Sequence, residues 1–351
     1  MLDLAETWER RALRAHLNGN LAHVSPSSGP RAHQQHPPVS IIMTVLNEEA
    51  HLPEAVSSVL SQDYPGPMEL VLAVGPSSDR TREVADALAT ADPRIVVVDN
   101  PSGRTPDGLN AAVARSRHHV VVRMDGHGEL SEGYITRAVE LLEQTGAANV
   151  GGIMLAEGTG PVQEAVAIAM RSPLGMGGER FHVGGEAGPA DTVFLGVFRR
   201  EWLDRVGGYD PAYTRAQDWE LNHRIRAAGG TIWFTPELTV TYRPRSTFRA
   251  LARQFYTSGQ WRRQVVRQHP DSVNARYLAP PVAVTLLAAG TVGGLAWKPL
   301  WLLPLGYAAA VAVGGAWIAR GREAGVVARM PAVLATMHLT WGAGFLRGPR
   351  D

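Results

Sequence analysis

His119-Val120-Val121-Val122-Arg123-Met124-Asp125-Gly126-His127 reads as a buried strand that stops at an acid, a glycine and an imidazole. A short apolar run ended by turn residues suits a strand covered on both faces, as in parallel sheets. Residues i and i+2 of an extended segment project to the same side, so Asp125 and His127 are expected to face one space. Gly126 between them lets the backbone approach a bulky ligand. A carboxylate and a neutral imidazole form a mixed donor set for a divalent ion, which Mn²⁺ accepts more readily than Mg²⁺. Taken alone, the tripeptide reads better as a turn with an exposed histidine. The rest of the chain decides.

Upstream, Val39-Ser-Ile-Ile-Met-Thr-Val45 is a first strand, followed by Leu46-Asn47-Glu48-Glu49 and a helix from Leu52 to Ser61. Strands over Glu69 to Val74 and Arg94 to Val98 follow, with helices over Arg80 to Ala89 and Asp107 to Ser116. Alternation at this spacing predicts a mostly parallel α/β sheet with helical crossovers. Ligands of such sheets bind beyond the carboxyl ends of the strands. Asn47-Glu48, Ser77-Ser78-Asp79, Asn100 and Asp125-Gly126-His127 all stand at such ends. The first strand lacks a following Gly-x-Gly-x-x-Gly, and the sole lysine, Lys298, belongs to no Walker-type loop. Both observations argue against a nicotinamide dehydrogenase and a P-loop enzyme.

The 351 residues carry a net charge of +1, which argues against a nucleic-acid partner, and no cysteine, which excludes disulfides and thiolate metal sites. Met1 to Pro38 has no apolar core of a secretory signal. Leu4, Trp8, Leu13 and Leu17 suggest a short helix, and the Ser/Pro/His-rich stretch from Ser25 a flexible linker. Tyr277 to Trp297 and Pro299 to Ala319 are uncharged and long enough to cross a bilayer, with Lys298 at the tip of the hairpin they form. Met330 to Leu346 is uncharged but shorter and contains His338; it spans, re-enters or lies at the interface. Between Arg243 and Arg276 inclusive lie eight arginines and the single acid Asp271, and Arg320, Arg322 and Arg329 follow the second span. That asymmetry puts the large N-terminal part in the cytoplasm, on an inner membrane. Phe248, Leu251, Ala252, Phe255, Tyr256 and Gly259 recur at helical spacing among arginines, which suggests an interfacial helix.

A second constellation follows Val206-Gly-Gly-Tyr-Asp210. Trp219, Leu221 and Ile225 suggest a helix that starts near Asp218, where exposed amides and the dipole favour a carboxylate. Alone, Asp218 is better read as a cap.

Together, Val39–Glu49, Ser77-Ser-Asp-Arg-Thr81, Thr105–Asn110, Val122–His127 and Gln217–Arg224 resemble successive motifs of glycosyltransferase family 2, in order, over roughly Val39 to Pro270. The likeness is to its membrane-attached, succinoglycan-biosynthesis-type members. It implies a GT-A nucleotide-sugar-binding fold followed by transmembrane helices, and inverting transfer from a nucleotide sugar, expected to be a UDP-sugar. The implied acceptor is a lipid-linked or cell-envelope glycan.

Position by position, the resemblance makes Asp125 and His127 the metal and diphosphate site for Mn²⁺ or Mg²⁺. Most members have a second acid where His127 stands. Thr44, Leu46, Glu48 and Asp79 fall where the donor is contacted, and Asp218 at the catalytic base. A departing diphosphate gains charge that Arg104 and Arg123 would help to balance; the competing reading of each is a solvated or ion-paired surface arginine. Gln217, Trp219 and Glu220 fall in acceptor or supporting positions. Val74 and Gln217 depart from the acids common in the family. The expected organisation is an N-terminal helix and linker over 1–38, a catalytic domain over 39–245, an interfacial region over 246–276 and a membrane region over 277–351. The competing readings are a non-catalytic scaffold and a processive synthase. Against the synthase stand the small number of spans and Gln260-Trp-Arg-Arg, only a loose echo of the synthase motif Gln-x-x-Arg-Trp.

Overall fold

Four apolar runs build the first half of the sheet as the alternation requires. The computed structural model describes residues 36–349. The expected N-terminal helix and most of the linker lie outside them. In chain order come β1 (Val39–Val45), α1 (Leu52–Leu60), β2 (Met68–Val74), α2 (Thr81–Ala91), β3 (Ile95–Asp99), α3 (Thr105–Arg115) and β4 (Val120–Asp125). The strands pair in parallel in the order β3-β2-β1-β4. Thr44 lies opposite Asp125, and Val45 opposite Val74, so the strand ends form one edge.

Val39, Ile41, Met43 and Val45 face one apolar cluster with Leu70 and Leu72, whereas Ile42, Val71 and Ala73 face another. Both faces of these strands are therefore covered, which explains their near-continuous apolar sequence. Leu52, Ala55, Val56 and Val59 lay one stripe of α1 onto the first cluster. Burying such side chains stabilises the sheet by roughly 1.5–3 kcal/mol each.

The sheet then changes direction. The elements that follow are β5 (Glu129–Leu130), α4 (Tyr134–Thr145), β6 (Asn149–Ala156), α5 (Pro161–Met170), α6 (Pro173–Met176), α7 (Arg180–Val183), β7 (Gly188–Pro189), β8 (Phe194–Arg199), α8 (Arg200–Val206), α9 (Gln217–Ala227) and β9 (Ile232–Tyr242). β8 runs antiparallel between β4 and β6, β6 is parallel to β9, and β5 and β7 are antiparallel to β9. The result is a mixed α/β fold whose first half is wholly parallel.

Four longer helices complete the described chain: α10 (Phe248–Gln268), α11 (Ala275–Gly293), α12 (Leu302–Ile318) and α13 (Ala324–Arg347). α11 and α12 are joined through a 3₁₀ turn at Lys298–Trp301 and pack as a hairpin. Two helical stretches, Ala275–Gly293 and Lys298–Ile318, are long and apolar enough to cross a membrane. Their outer surface carries large apolar side chains, among them Val292, Leu302 and Val313, each at least 70% exposed.

The third uncharged stretch behaves differently. α13 packs along α10 and against α5, burying Val326, Met330, Val333, Leu334, Met337 and Phe345. The apolar stripe of α10 is likewise turned inward: Leu251, Phe255, Gly259 and Val265 are buried, which departs from the interfacial reading of that stripe. Glycines explain the close crossing. A Cβ on Gly259 would fall 2.1 Å from the Trp341 carbonyl oxygen, and one on Gly344 would fall 2.0 Å from that of Tyr256.

Candidate active site

Two loops at the carboxyl edge are stitched together by their polar side chains. Asn47, in the left-handed region at φ 57°, accepts from the Ser78 amide (2.8 Å) and hydroxyl (3.1 Å). The Glu48 amide donates to Thr81 Oγ1 at 2.7 Å, and the Glu49 amide to Asp79 Oδ2 at 3.2 Å. Asp79 also accepts from the Thr81 hydroxyl (2.6 Å) and amide (3.0 Å). These bonds, the hydroxyl foremost, hold its carboxyl below the usual carboxylate range. Asp79 thus braces the loop that carries Glu48. Thr44 stands beside Asp125 in the register, and Leu46 is exposed at the edge. Arg104 precedes α3, with Nε on Asp107 at 2.7 Å and Nη1 donating to the Pro211 carbonyl at 3.4 Å.

Asp125 ends β4, and His127 lies two residues on, with Nδ1 2.9 Å from Glu48 Oε1. That hydrogen bond, aided by the Asp125 and Glu48 charges against the cost of burial, raises the His127 pKa above the ordinary imidazole value. A Cβ on Gly126 would fall 2.8 Å from Val45 Cγ1 and 3.4 Å from Glu48 Cγ. Glycine here keeps Glu48 close to the strand end, a packing role that the sequence reading did not foresee.

Among the described residues no three His, Asp or Glu side chains gather as a metal-binding group. The donor set nevertheless fits a metal completed by substrate. A carboxylate on one ring nitrogen orients the other for ligation, and Mg²⁺-type sites commonly use one or two protein donors plus phosphates.

Asp218 arrives from the other half of the fold. It lies in the first turn of α9, preceded by Ala216 at φ 60°. A left-handed alanine is uncommon and costs roughly 1–2 kcal/mol. Arg123 joins the two halves. Its guanidinium, only 3% exposed, reaches Asp125 Oδ1 at 3.2 Å through Nη2 and forms an ion pair with Asp218 Oδ1 through Nη1. The strand-end acid and the helix-start acid thus share one buried cation.

The supporting positions separate. Glu220 is buried, and both its oxygens take Arg224 at 2.6 Å; Arg224 in turn donates to the carbonyls of Val206 (2.6 Å) and Gly208 (2.8 Å). Glu220 therefore anchors the loop before α9 and does not line the cavity described next. Asn110 pins the same loop by exchanging hydrogen bonds with the Tyr209 backbone at 2.7 and 2.8 Å. Gln217 opens α9 outside the cavity described next, whereas Trp219 lines it.

A cavity of ≈ 530 Å³ runs from Asp218 and Trp219 to Ala279, Pro280 and Ala283 of α11. α6 and α7 supply part of the wall, and α13 adds Met337, His338 and Trp341, with His338 Nε2 2.8 Å from the Leu174 carbonyl oxygen of α6. Four charged side chains of the lining lay outside the sequence reading of the site: Glu179, Arg215, Arg262 and Arg276. Burial raises the Glu179 pKa, although Arg276 Nη2 lies 2.5 Å from Oε2. His182, buried in the wall and beside Arg276, has its pKa pushed down to about 3, chiefly by burial. In sequence, Arg262 and Arg276 belong to the arginine-rich stretch read as membrane-surface charge. Nothing in that local pattern distinguishes an inward from an outward arginine.

A parallel half-sheet with polar loops at its carboxyl edge, extended by a mixed second half, is the GT-A architecture. A mannosyltransferase from Pyrobaculum calidifontis, solved in complex with GDP-Man and Mn²⁺, has the same fold, with a TM-score of 0.57 at 20% identity over 95% of this chain and 92% of that one. The model of the family "Glycosyl transferase family 2" matches residues 40–207. The chain is 33% identical over 313 residues to the succinoglycan biosynthesis protein ExoA of Rhizobium meliloti, covering 88% of this chain and 93% of that protein. It is 21% identical over 239 residues to a dolichyl N-acetyl-alpha-D-glucosaminyl phosphate 3-beta-D-2,3-diacetamido-2,3-dideoxy-beta-D-glucuronosyltransferase of Methanococcus voltae, covering 66% and 74%. This chain belongs to glycosyltransferase family 2.

Proposed function

We propose that the chain is an inverting glycosyltransferase that moves a sugar from a nucleotide sugar to a lipid-linked or cell-envelope glycan, at the cytoplasmic face of a membrane. One observation carries the reading: buried Arg123 ties Asp125 at the donor edge to Asp218 at the head of a cavity that reaches a candidate membrane helix. The likeness to a succinoglycan biosynthesis protein supports polysaccharide assembly, and the arginine excess beside the apolar hairpin supports a cytoplasmic catalytic part.

In this mechanism the acceptor hydroxyl enters from the cavity and attacks C1 of the donor sugar while Asp218 takes its proton. The nucleoside diphosphate departs on the opposite side, toward β4. Arg123 fixes the spacing of the two carboxylates and sets a positive charge beside the departing group. Asp125 and His127 would hold a divalent ion, Mn²⁺ or Mg²⁺, with Glu48 orienting the imidazole. Such an ion supplies positive charge that favours departure of a diphosphate.

The test is a panel of UDP- and GDP-sugars offered to the full chain in detergent, with Mn²⁺, Mg²⁺ or excess chelator, read by calorimetry and by slow donor hydrolysis. One nucleotide class is expected to bind, more weakly in chelator. Asp218→Asn is expected to keep donor binding and to lose transfer by roughly 10²–10⁴-fold, with a lower melting temperature because buried Arg123 loses the charge of one of its two carboxylates. Undiminished turnover in that variant removes the base assignment. No nucleotide-sugar binding under any condition returns the chain to a scaffold role.

A further inference from the structure

The cavity holds a cation that its walls do not neutralise. Arg262 projects from α10 with its guanidinium carbon 4.7 Å from the Trp219 ring centre and 4.0 Å from that of Tyr277. It is thus clamped between the helix that carries Asp218 and the first turn of α11. Its Nη1 is sealed from solvent and has no hydrogen-bond acceptor among the described residues. The acids of the wall are engaged elsewhere, Glu179 by Arg276 and Asp218 by Arg123. Arg276 also leaves its buried Nε without an acceptor among the described residues. Burying a guanidinium with an unmade hydrogen bond costs on the order of 1–3 kcal/mol, so such a group in a cavity marks a place for an anion.

What lies beyond the arginines is apolar. Leu174, Phe255, Ala279, Pro280, Ala283 and Trp341 continue the lining from Tyr277 along α11, whose far flank is the exposed apolar surface described above. An anion attached to a long hydrocarbon chain matches this order of chemistry; a free anion uses only half of it.

We propose that Arg262, seconded by Arg276, receives the phosphate or diphosphate of a lipid-linked acceptor, whose chain follows α11 toward the membrane. The sugar end then lies on the Trp219 side, next to Asp218. This deepens the acceptor half of the function proposed above and rests on it. The assay below contains no nucleotide sugar, so failure of the site and failure of transfer appear in separate experiments.

Trp219, Trp261 and Trp341 line the cavity, so intrinsic fluorescence reports its occupation directly. The full chain in detergent is titrated with farnesyl diphosphate, farnesol and inorganic pyrophosphate. Farnesyl diphosphate is expected to bind at least about tenfold more tightly than either fragment, the factor that about 1.4 kcal/mol supplies. Arg262→Ala is expected to weaken the diphosphate roughly 10- to 100-fold while leaving farnesol unchanged, which also certifies folding; Arg262→Lys is expected to restore part of the loss. Ala283→Trp, at the apolar end, is expected to weaken both lipids and spare pyrophosphate. Equal binding of farnesol and its diphosphate, or an Arg262→Ala variant with undiminished affinity for the diphosphate, overturns the phosphate site. Pyrophosphate binding as tightly as farnesyl diphosphate overturns the lipid assignment and leaves a site for free anions.

Discussion

Single side chains set the chemistry of this protein through what they are tied to. Arg123 has one buried guanidinium for two acids that come from strand and helix 93 positions apart in the chain, counting from Asp125 to Asp218. The sequence offered Arg123 only as an arginine near the diphosphate; the shared ion pair is a tertiary fact. Asp79 and Glu220 were legible as site acids, yet both have their oxygens committed to neighbouring loop groups. Spacing alone does not separate an acid that faces substrate from one that braces a loop. His182 gives a prediction at this scale. Its pKa of about 3 in the folded state lies below the unfolded value of about 6.5. Above pH 6.5 both states are neutral. As pH falls below that, the unfolded chain takes up a proton that the folded chain refuses, so stability drops by at most about 1.4 kcal/mol per pH unit down to about pH 3. The melting temperature is expected to fall between pH 7.5 and 5, and His182→Phe is expected to flatten that fall. Parallel pH slopes in the two proteins would count against the assignment.

At the scale of elements, strands and helices of the parallel half were readable almost to the residue. Buried apolar runs bounded by Asn, Gly, Pro and Asp leave little choice of boundary. The same local rules found α11 and α12 but left the path of the last helix open. Met330 to Leu346 is uncharged, and charge alone cannot separate a lipid-facing helix from one packed on protein. The answer lay in Gly259 and Gly344, which let α10 and α13 meet backbone to backbone although they are 85 positions apart. Gly344→Val is expected to force the helices apart and destabilise the protein by about 2 kcal/mol or more, since overpacking against a backbone has no flexible neighbour to yield. Because Met337, His338 and Trp341 share that helix, the same variant should also weaken farnesyl diphosphate in the fluorescence titration. Thermal melts and titration with that lipid check both effects; a variant with wild-type melting and lipid affinity would show that the crossing tolerates the extra volume.

For the molecule as a whole, the outward apolar surface is concentrated on the α11–α12 hairpin. Val313 is 71% exposed there, which makes it a discriminating probe. In water, replacing an exposed valine by aspartate changes stability by no more than about 0.5 kcal/mol. Near the middle of a bilayer it costs about 3 kcal/mol. Val313→Asp is therefore expected to lower the share of protein retained in alkali-washed membranes without lowering the melting temperature of the detergent-purified chain. Retention equal to wild type would argue for a hairpin that lies on protein and not in lipid. The hairpin also sits in the middle of a packed pair. α10 is synthesised before it and α13 after it, yet the cavity needs side chains from both. Biogenesis thus follows a fixed order: the ribosome must complete the hairpin before the last wall can dock. A nascent chain stalled short of α13 has the strand ends of β1 to β4 and Asp218 but lacks Met337, His338 and Trp341 of the cavity lining. The cavity is closed last, after the apolar hairpin has been made.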